Sequence, residues 1–505
     1  VARRAEAVSE TQGRSDSPRF DAARATTEAR KAQATWAALP IRERLGVLRK
    51  FRHALAEAAQ EIAATVPSRL PGNLNRDLAD TLVAEVLPLA EACRFLEREA
   101  ASILAPRKAA NSSRPFWLRG ISTEIRREAL GVVLIIGPGN YPLFLPGVQA
   151  LQALAAGDAV LWKPAPGGAA AAQAMRRLLV ASGLEPSLLQ ILDEATEAAT
   201  AAIHAGVDKV FLTGSEATGR AVLRDLAETL TPSAMELSGC DAVFVLDGAD
   251  LERAVAALLF GMRLNGSATC MAPRRIFATA TVAKELAPRL ADALGGLAPV
   301  AVPERTSDLL QELLFDAENK GAKFLLNGFD AAVRVEGGGT LLYPTLIAQA
   351  TPEMRVAQTD IFAPVLSMIE VPDEEAALAA NALCPYALTA SIFGPEKQAR
   401  RLAARIPAGS VLVNDIIVAT ADPRAPFGGR KRSGFGATRG REGLLEMTTL
   451  KTIQTQRAKD LRAYAPPTEH HADFISGYIQ TAHGGKWRVR REGLRRFLDA
   501  MMKIK

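Results

Sequence analysis

Two side chains thirty-four residues apart could share one reaction. Cys270 lies in Asn265-Gly-Ser-Ala-Thr-Cys-Met-Ala-Pro273, and Glu236 lies in Met235-Glu-Leu-Ser-Gly239. A thiol can attack a carbonyl carbon, and a carboxylate can activate the water that later releases the acyl group. Neither residue type is diagnostic alone. A free cysteine is usually a small buried hydrophobe, and a glutamate is usually solvated or ion-paired. Their neighbours favour chemistry. Residues 266–268 are small enough to let backbone approach a ligand closely, and the apolar stretch around Glu236 should raise its pKa toward that of a general base.

Further polar groups follow apolar runs. Asn140 sits in Ile135-Ile-Gly-Pro-Gly-Asn-Tyr-Pro142 and, taken alone, is a turn residue between prolines. Lys163 in Leu161-Trp-Lys-Pro-Ala165 would by itself be a surface lysine. Val210-Phe-Leu-Thr-Gly-Ser-Glu-Ala-Thr-Gly-Arg220 crosses from a strand into a helix, which puts Gly214, Ser215 and Gly219 at a helix start. Free N–H groups and the positive dipole end there suit a phosphate, although no GxGxxG is present. Thr359-Asp-Ile-Phe-Ala-Pro-Val365 contributes Asp360 and Phe362, and its plain reading is an acidic strand entry.

The elements that must position these groups change character along the chain. Residues 1–20 are polar and irregular, a mobile N-terminal arm. Stretches 22–64 and 75–104 read as helices, the first with Leu45, Leu48, Phe51, Leu55 and Ile62 on one stripe. Residues 112–129 suggest strands outside the main core. From residue 131, short apolar runs alternate with helical segments: Val132–Ile136, Ala159–Trp162, Lys209–Leu212, Ala242–Leu246, Arg275–Ala278, Val365–Glu370, Thr389–Phe393 and Ser410–Val413. Such runs fit parallel sheets covered on both faces, and there are too many for one small unit. Two α/β domains are expected, followed by the glycine- and arginine-rich loop Phe427–Gly436, a strand over Glu446–Gln456 and a basic terminal helix.

With 505 residues, 48% hydrophobic and 23% charged, the chain fits a soluble globular protein with a large core. No apolar run has membrane-spanning length, and the start of the chain lacks a signal-peptide core, so a cytoplasmic protein is expected. Cys93, Cys240, Cys270 and Cys384 are far apart without CxxC spacing, which argues against a zinc site or a disulfide framework. The net charge of +6 resides in residues 485–505, where eight Lys or Arg face only Glu492 and Asp499. A general nucleic-acid surface is therefore not implied. That tail could lie on a membrane as an amphipathic helix, but a solvated helix is the favoured expectation.

Taken in order, these motifs resemble the aldehyde dehydrogenase superfamily over roughly residues 22–456, with Pro385-Tyr-Ala-Leu-Thr-Ala-Ser-Ile-Phe393 and Pro426-Phe-Gly-Gly-Arg-Lys-Arg-Ser-Gly434 adding to the match. The resemblance implies an α/β fold of two doubly wound domains, one Rossmann-like and cofactor-binding, one catalytic, plus a small β oligomerisation arm. The implied layout is 21–111 with 130–237 for cofactor, 238–425 for catalysis, 112–129 with 426–456 for the arm, and 457–505 as a basic extension. It implies oxidation of an aldehyde to a carboxylic acid with NAD or NADP, without metal, in a homodimer or homotetramer. Cys270 would be the nucleophile and Glu236 the base, with Asn140 and the Cys270 N–H holding the oxyanion. Ile136, Lys163, Gly214, Ser215, Gly219, Asp360 and Phe362 would bind the cofactor.

Departures qualify this picture. Pro166 stands where NAD-preferring members often carry a glutamate, which predicts that NADP is tolerated. Asp360 is one methylene shorter than the usual acid, Gly139 replaces a tryptophan, and Ser267-Ala268 replace Gly-Gln. Three rivals share parts of the pattern. A CoA-acylating enzyme generally lacks the hydrolytic glutamate, a binding protein on the same fold would have lost a reactive residue, and a thiol hydrolase would need a histidine partner.

Overall fold

The structure is a computed structural model, and it describes residues 21–67, 76–118, 120–334, 340–457, 464 and 466–504. The expected arm at residues 1–20 lies outside them. The chain divides into two compact units, Val1–Pro106 with Arg126–Lys451 and Arg107–Ile125 with Thr452–Lys505.

The first unit holds two large sheets. One has six strands in the order Gly434–Phe435, Ser233–Glu236, Lys209–Thr213, Val132–Ile136, Ala159–Lys163 and Leu189–Ile191, parallel except for the first. The other has seven, in the order Lys323–Leu326, Thr345–Ala348, Val365–Glu370, Pro273–Ala278, Asp241–Val245, Thr389–Phe393 and Ser410–Val413, again with only the first antiparallel. Every apolar run expected to be a strand is one. The seven-stranded sheet buries both faces because side chains alternate across it. Ala242 and Phe244 enter one core, while Val243 and Val245 enter another.

The helices follow local rules. Pro40 forces Leu39 into extended backbone and so ends Ala22–Ala38, and the rest of the expected 22–64 helix breaks again at Ala58 into Ile41–Glu57 and Ala59–Ala64. Asp21 caps the first by accepting from the Arg24 N–H at 3.0 Å. Helix Phe144–Ala156 stops at Gly157, whose φ of 107° suits the left-handed end of a helix.

Two expectations change. Residues 111–118 form single turns at Asn111–Ser113 and Phe116–Leu118, and only Ile121–Ala129 is a strand. The segment 426–447, grouped with the arm on sequence grounds, packs into the first unit. Gly434 explains why: a Cβ there would come within 2.0 Å of the Met235 carbonyl oxygen, so only glycine lets this loop pair with Ser233–Glu236.

In the second unit, Arg107–Lys108 pairs antiparallel with Glu124 and Ile125, and helices His471–His483 and Trp487–Lys503 form a hairpin. Phe474 stacks on Phe497 with ring centroids 4.7 Å apart.

Candidate active site

The nucleophile loop is built from unusual backbone. Helix Leu251–Arg263 ends, and Asn265, Gly266 and Ser267 then take φ values of 52°, 56° and 65°. Left-handed backbone is easy for glycine, tolerable for asparagine and costly for serine. Two buried arginines hold the loop there. Arg76 donates through Nε to Asn265 Oδ1 at 2.6 Å and through Nη2 to the Asn140 carbonyl at 2.6 Å. Arg274 donates to Ser267 Oγ and to the Ser267 carbonyl at 2.7 Å each, and to the Ala363 carbonyl at 2.9 Å. Phe362 packs on Ala268 beside this clamp.

Cys93, Cys240 and Cys384 are buried, whereas Cys270 is partly exposed. Its thiol nevertheless lies in a desolvated environment. Burial raises its pKa well above that of an ordinary thiol, and the nearby Glu236, Asp241 and Asp360 charges push the same way while Arg439 opposes them.

Glu236 ends its strand and is only 3% exposed. Its Oε2 accepts from Thr438 Oγ1 at 3.2 Å, and its buried Oε1 has no protein partner. Burial raises its pKa, against the opposing pull of Arg439 and the Thr438 hydroxyl. Gly239, three residues on, ties Glu236 to Cys270. A Cβ at Gly239 would stand 2.4 Å from the Cys270 carbonyl oxygen, so the strand exit and the Cys270 backbone are in direct contact.

Asn140 lies against the same loop, its Nδ2 donating to the Ala268 carbonyl at 3.0 Å. That leaves one N–H of the amide for another acceptor. Tyr141 adds a hydroxyl contact to Thr269 Oγ1 at 3.1 Å. The Arg76 guanidinium is in turn ion-paired with Glu85, whose Oε2 accepts from Leu143 N at 3.0 Å and Phe144 N at 2.7 Å. A carboxylate thus caps the helix that follows Asn140.

Ile136, Lys163, Gly214 and Ser215 lie at the strand ends of the six-stranded sheet and Gly219 in the helix that follows, whereas Asp360 and Phe362 precede Val365–Glu370 of the other sheet. Ile136 and Lys163 close neighbouring strands, linked by Gly137 N–H donating to the Lys163 carbonyl at 3.0 Å. Gly214 N–H donates to the Glu236 carbonyl at 3.0 Å, so the phosphate-type turn and the base share backbone. Ser215 caps helix Glu216–Thr229 through Thr218 N–H at 3.1 Å, and Gly219 admits Leu237 close to the helix. Asp360 keeps a buried Oδ1 without a protein partner, and burial pushes its pKa up to about 7.

Pro166 does not leave the adjoining loop free of acid. Glu194 reaches it from the next strand exit, accepting from Gly167 N–H and Ala169 N–H at 2.8 Å each. Burial lowers the Lys163 pKa, and the Glu194, Asp193 and Glu197 charges partly restore it.

Sequence reasoning missed Arg76, Glu85, Arg274, Thr438, Arg439 and Glu194. A lone arginine or glutamate has no local signature, and several of these act across a long chain separation, as Arg76 does on Asn265. Arg274 directly follows the Asn265–Pro273 motif, and Thr438 and Arg439 lie just past the glycine-rich loop Phe427–Gly436.

A twin-sheet α/β enzyme with a partly exposed cysteine beside a buried carboxylate is the class that this fold and site define. The comparisons agree. The sequence pattern of the aldehyde dehydrogenase family matches residues 8–453. A 4,4'-diapolycopene aldehyde oxidase from Methylomonas sp is 30% identical over 86% of this chain and 81% of its own. A Mycobacterium tuberculosis protein provisionally named succinate-semialdehyde dehydrogenase (NADP+) 2 is 30% identical, covering 87% and 85% of the two chains. A Mycobacterium tuberculosis aldehyde dehydrogenase solved with NAD+ superposes with a TM-score of 0.78 at 25% identity, covering 88% and 92%. The chain belongs to the aldehyde dehydrogenase family, enzymes that oxidise aldehydes to carboxylic acids with NAD or NADP.

Proposed function

We propose that Cys270 and Glu236 divide this oxidation between them. The Cys270 sulfur, deprotonated, adds to the aldehyde carbon, and the carbonyl oxygen takes the negative charge. The Cys270 N–H and the remaining Asn140 amide N–H stabilise that oxygen, an effect that can be worth roughly 3–4 kcal/mol in the transition state. The orphaned Asp360 Oδ1 and the lysine ammonium of Lys163 are suited to hold ribose hydroxyls, with the Gly214–Gly219 turn against phosphate. NAD or NADP, when bound, supplies the two-electron oxidation that turns the thiohemiacetal into a thioester. Glu236 then takes a proton from water, whose oxygen attacks the thioester carbon and releases the acid and the thiol.

The observation that carries this reading is the unpartnered, buried Oε1 of Glu236 on the strand whose exit touches Cys270. A base needs a free lone pair and a raised pKa, and this carboxyl has both. Rapid-mixing kinetics test it. Cys270→Ala should give no reduced cofactor. Glu236→Gln should still give one burst of reduced cofactor per active site, followed by turnover slowed about 10²- to 10⁴-fold. A Glu236→Gln variant with normal steady-state turnover, or one rescued fully by coenzyme A, would move the assignment to another base or to the acylating reaction.

The same reading makes the chain a homo-oligomer joined through the strand Thr448–Gln456. That strand lies at the edge of its sheet and is mostly exposed, an arrangement that invites pairing with another chain.

A further inference from the structure

The C-terminal helical hairpin has one apolar face too many. Helix Trp487–Lys503 packs on helix His471–His483 through its small residues. A Cβ at Gly493 would stand 2.5 Å from the Gln480 Cβ, and one at Gly477 would stand 2.4 Å from the Phe497 N. Gly493 and Ala500 are the buried residues of the second helix. Its other apolar stripe is left outside. Trp487, Leu494, Leu498 and Met501 follow one another at steps of seven, four and three, and so share a face. They are 78%, 46%, 43% and 48% exposed.

Arginines border this stripe. Arg490, Arg491 and Arg495 stand three or four residues from Leu494 or Leu498, on the same side of the helix. Residues 485–505 hold eight Lys or Arg against two acids, a balance equal to the whole chain's +6. Among the described residues, no helix is long and apolar enough to cross a membrane.

We infer that this hairpin docks the enzyme on anionic lipid bilayers, with the Trp487–Met501 stripe in the headgroup boundary and the flanking arginines on lipid phosphates. An apolar stripe with basic borders on an otherwise charged helix is the pattern of an interfacial helix. A second copy of the same face would set like charges against each other. A nucleic acid would satisfy the arginines and leave the apolar stripe in water.

Flotation of the full-length protein with vesicles tests this. Vesicles containing phosphatidylglycerol should carry the protein, and vesicles of phosphatidylcholine alone should not. Added salt should release it. Each arginine removed should weaken binding about fivefold, so Arg490→Ser with Arg491→Ser should cost well over tenfold. Leu498→Glu should abolish flotation while oxidation of a short, water-soluble aldehyde is unchanged, which separates lost docking from lost folding. The tryptophan emission should shift to shorter wavelength with anionic vesicles, and Trp487→Phe should remove the shift. No flotation, or equal flotation with neutral vesicles, would overturn the proposal. So would a Leu498→Glu variant that floats normally but dissociates into smaller assemblies, which would give the face to a second copy.

Discussion

The nucleophile loop and the cofactor-side turns are held by opposite means. Around Cys270, two buried guanidinium groups hold the loop, Arg76 from 189 residues away and Arg274 from seven, and three successive residues stay in left-handed backbone. Around Gly214 and Gly167, the anchors are short caps: Ser215 on its own helix and Glu194 on the neighbouring one. The first arrangement fixes atoms, and strained backbone persists only where its surroundings over-determine it. The second sets charge and leaves the surface open. Covalent attack needs the former, because a shift of about 1 Å can cost about 100-fold in rate. Selecting between two nucleotides needs only the latter.

Gly239 gives the harshest test of that contrast. A methyl group there meets the Cys270 backbone oxygen, which has no rotamer to escape by. Gly239→Ala should lower kcat at least about 100-fold with the fold intact by circular dichroism. Near-normal turnover would mean that the loop is not rigid. Removing a clamp should act on stability as well. Arg274→Met strips Ser267 and Ala363 of a buried donor, and leaving a buried neutral acceptor unpaired costs about 1–3 kcal/mol each. Thermal unfolding would show it as a large fall in Tm.

The pH profile probes the same region without a mutation. In the proposed reaction Cys270 and Glu236 both act deprotonated, and burial raises both pKa values. A raised pKa moves the rising limb of activity to higher pH, so kcat/KM should climb toward alkaline pH by up to about tenfold per unit. A flat profile from about pH 6 to about pH 9 would show that aldehyde or cofactor binding resets the thiol.

How much of this was legible in the sequence follows from the range of each interaction. Strands buried on both faces write continuous apolar runs, and those were readable. The short strand Ser233–Glu236 was not, because Ser, Met and Glu lack a β pattern and the strand exists through pairing with Lys209–Thr213 and Gly434–Phe435. Cys270, Glu236 and Asn140 could be found through the residues flanking them. Arg76 and Arg274 could not, since a clamp is defined by what it reaches: Arg76 meets Asn265 across 189 residues. Glu194 could not be read from the motif either, because it reaches Gly167 and Ala169 from a loop that the motif does not include.

The cofactor side should give smaller effects. Gly219→Ala would press on the Leu237 methyl groups at 2.8 and 2.9 Å, and a side chain can turn away where a carbonyl cannot. A cost of about 1–3 kcal/mol in stability is expected, with kcat kept within a few-fold of the parent. A collapse of kcat as deep as that of Gly239→Ala would erase the distinction between the two regions.

Glu194→Gln should give the smallest change and the most specific one. The Glu194 carboxylate already accepts the Gly167 and Ala169 N–H groups, which are the donors a 2′-phosphate could use at that helix start. Its charge, with Asp193 and Glu197 near Lys163, opposes a second anion. Glu194 is partly exposed, so one such charge is worth about 1 kcal/mol or less, up to about fivefold in affinity. Glutamine keeps the shape and removes the charge, and its one oxygen still accepts one of the two N–H groups. Calorimetric titration should therefore show NADP binding strengthened by up to about fivefold relative to NAD, with NAD itself little changed. A variant that weakens both nucleotides equally would make Glu194 a helix cap only, and one that leaves their ratio unchanged would return the choice of cofactor to Pro166.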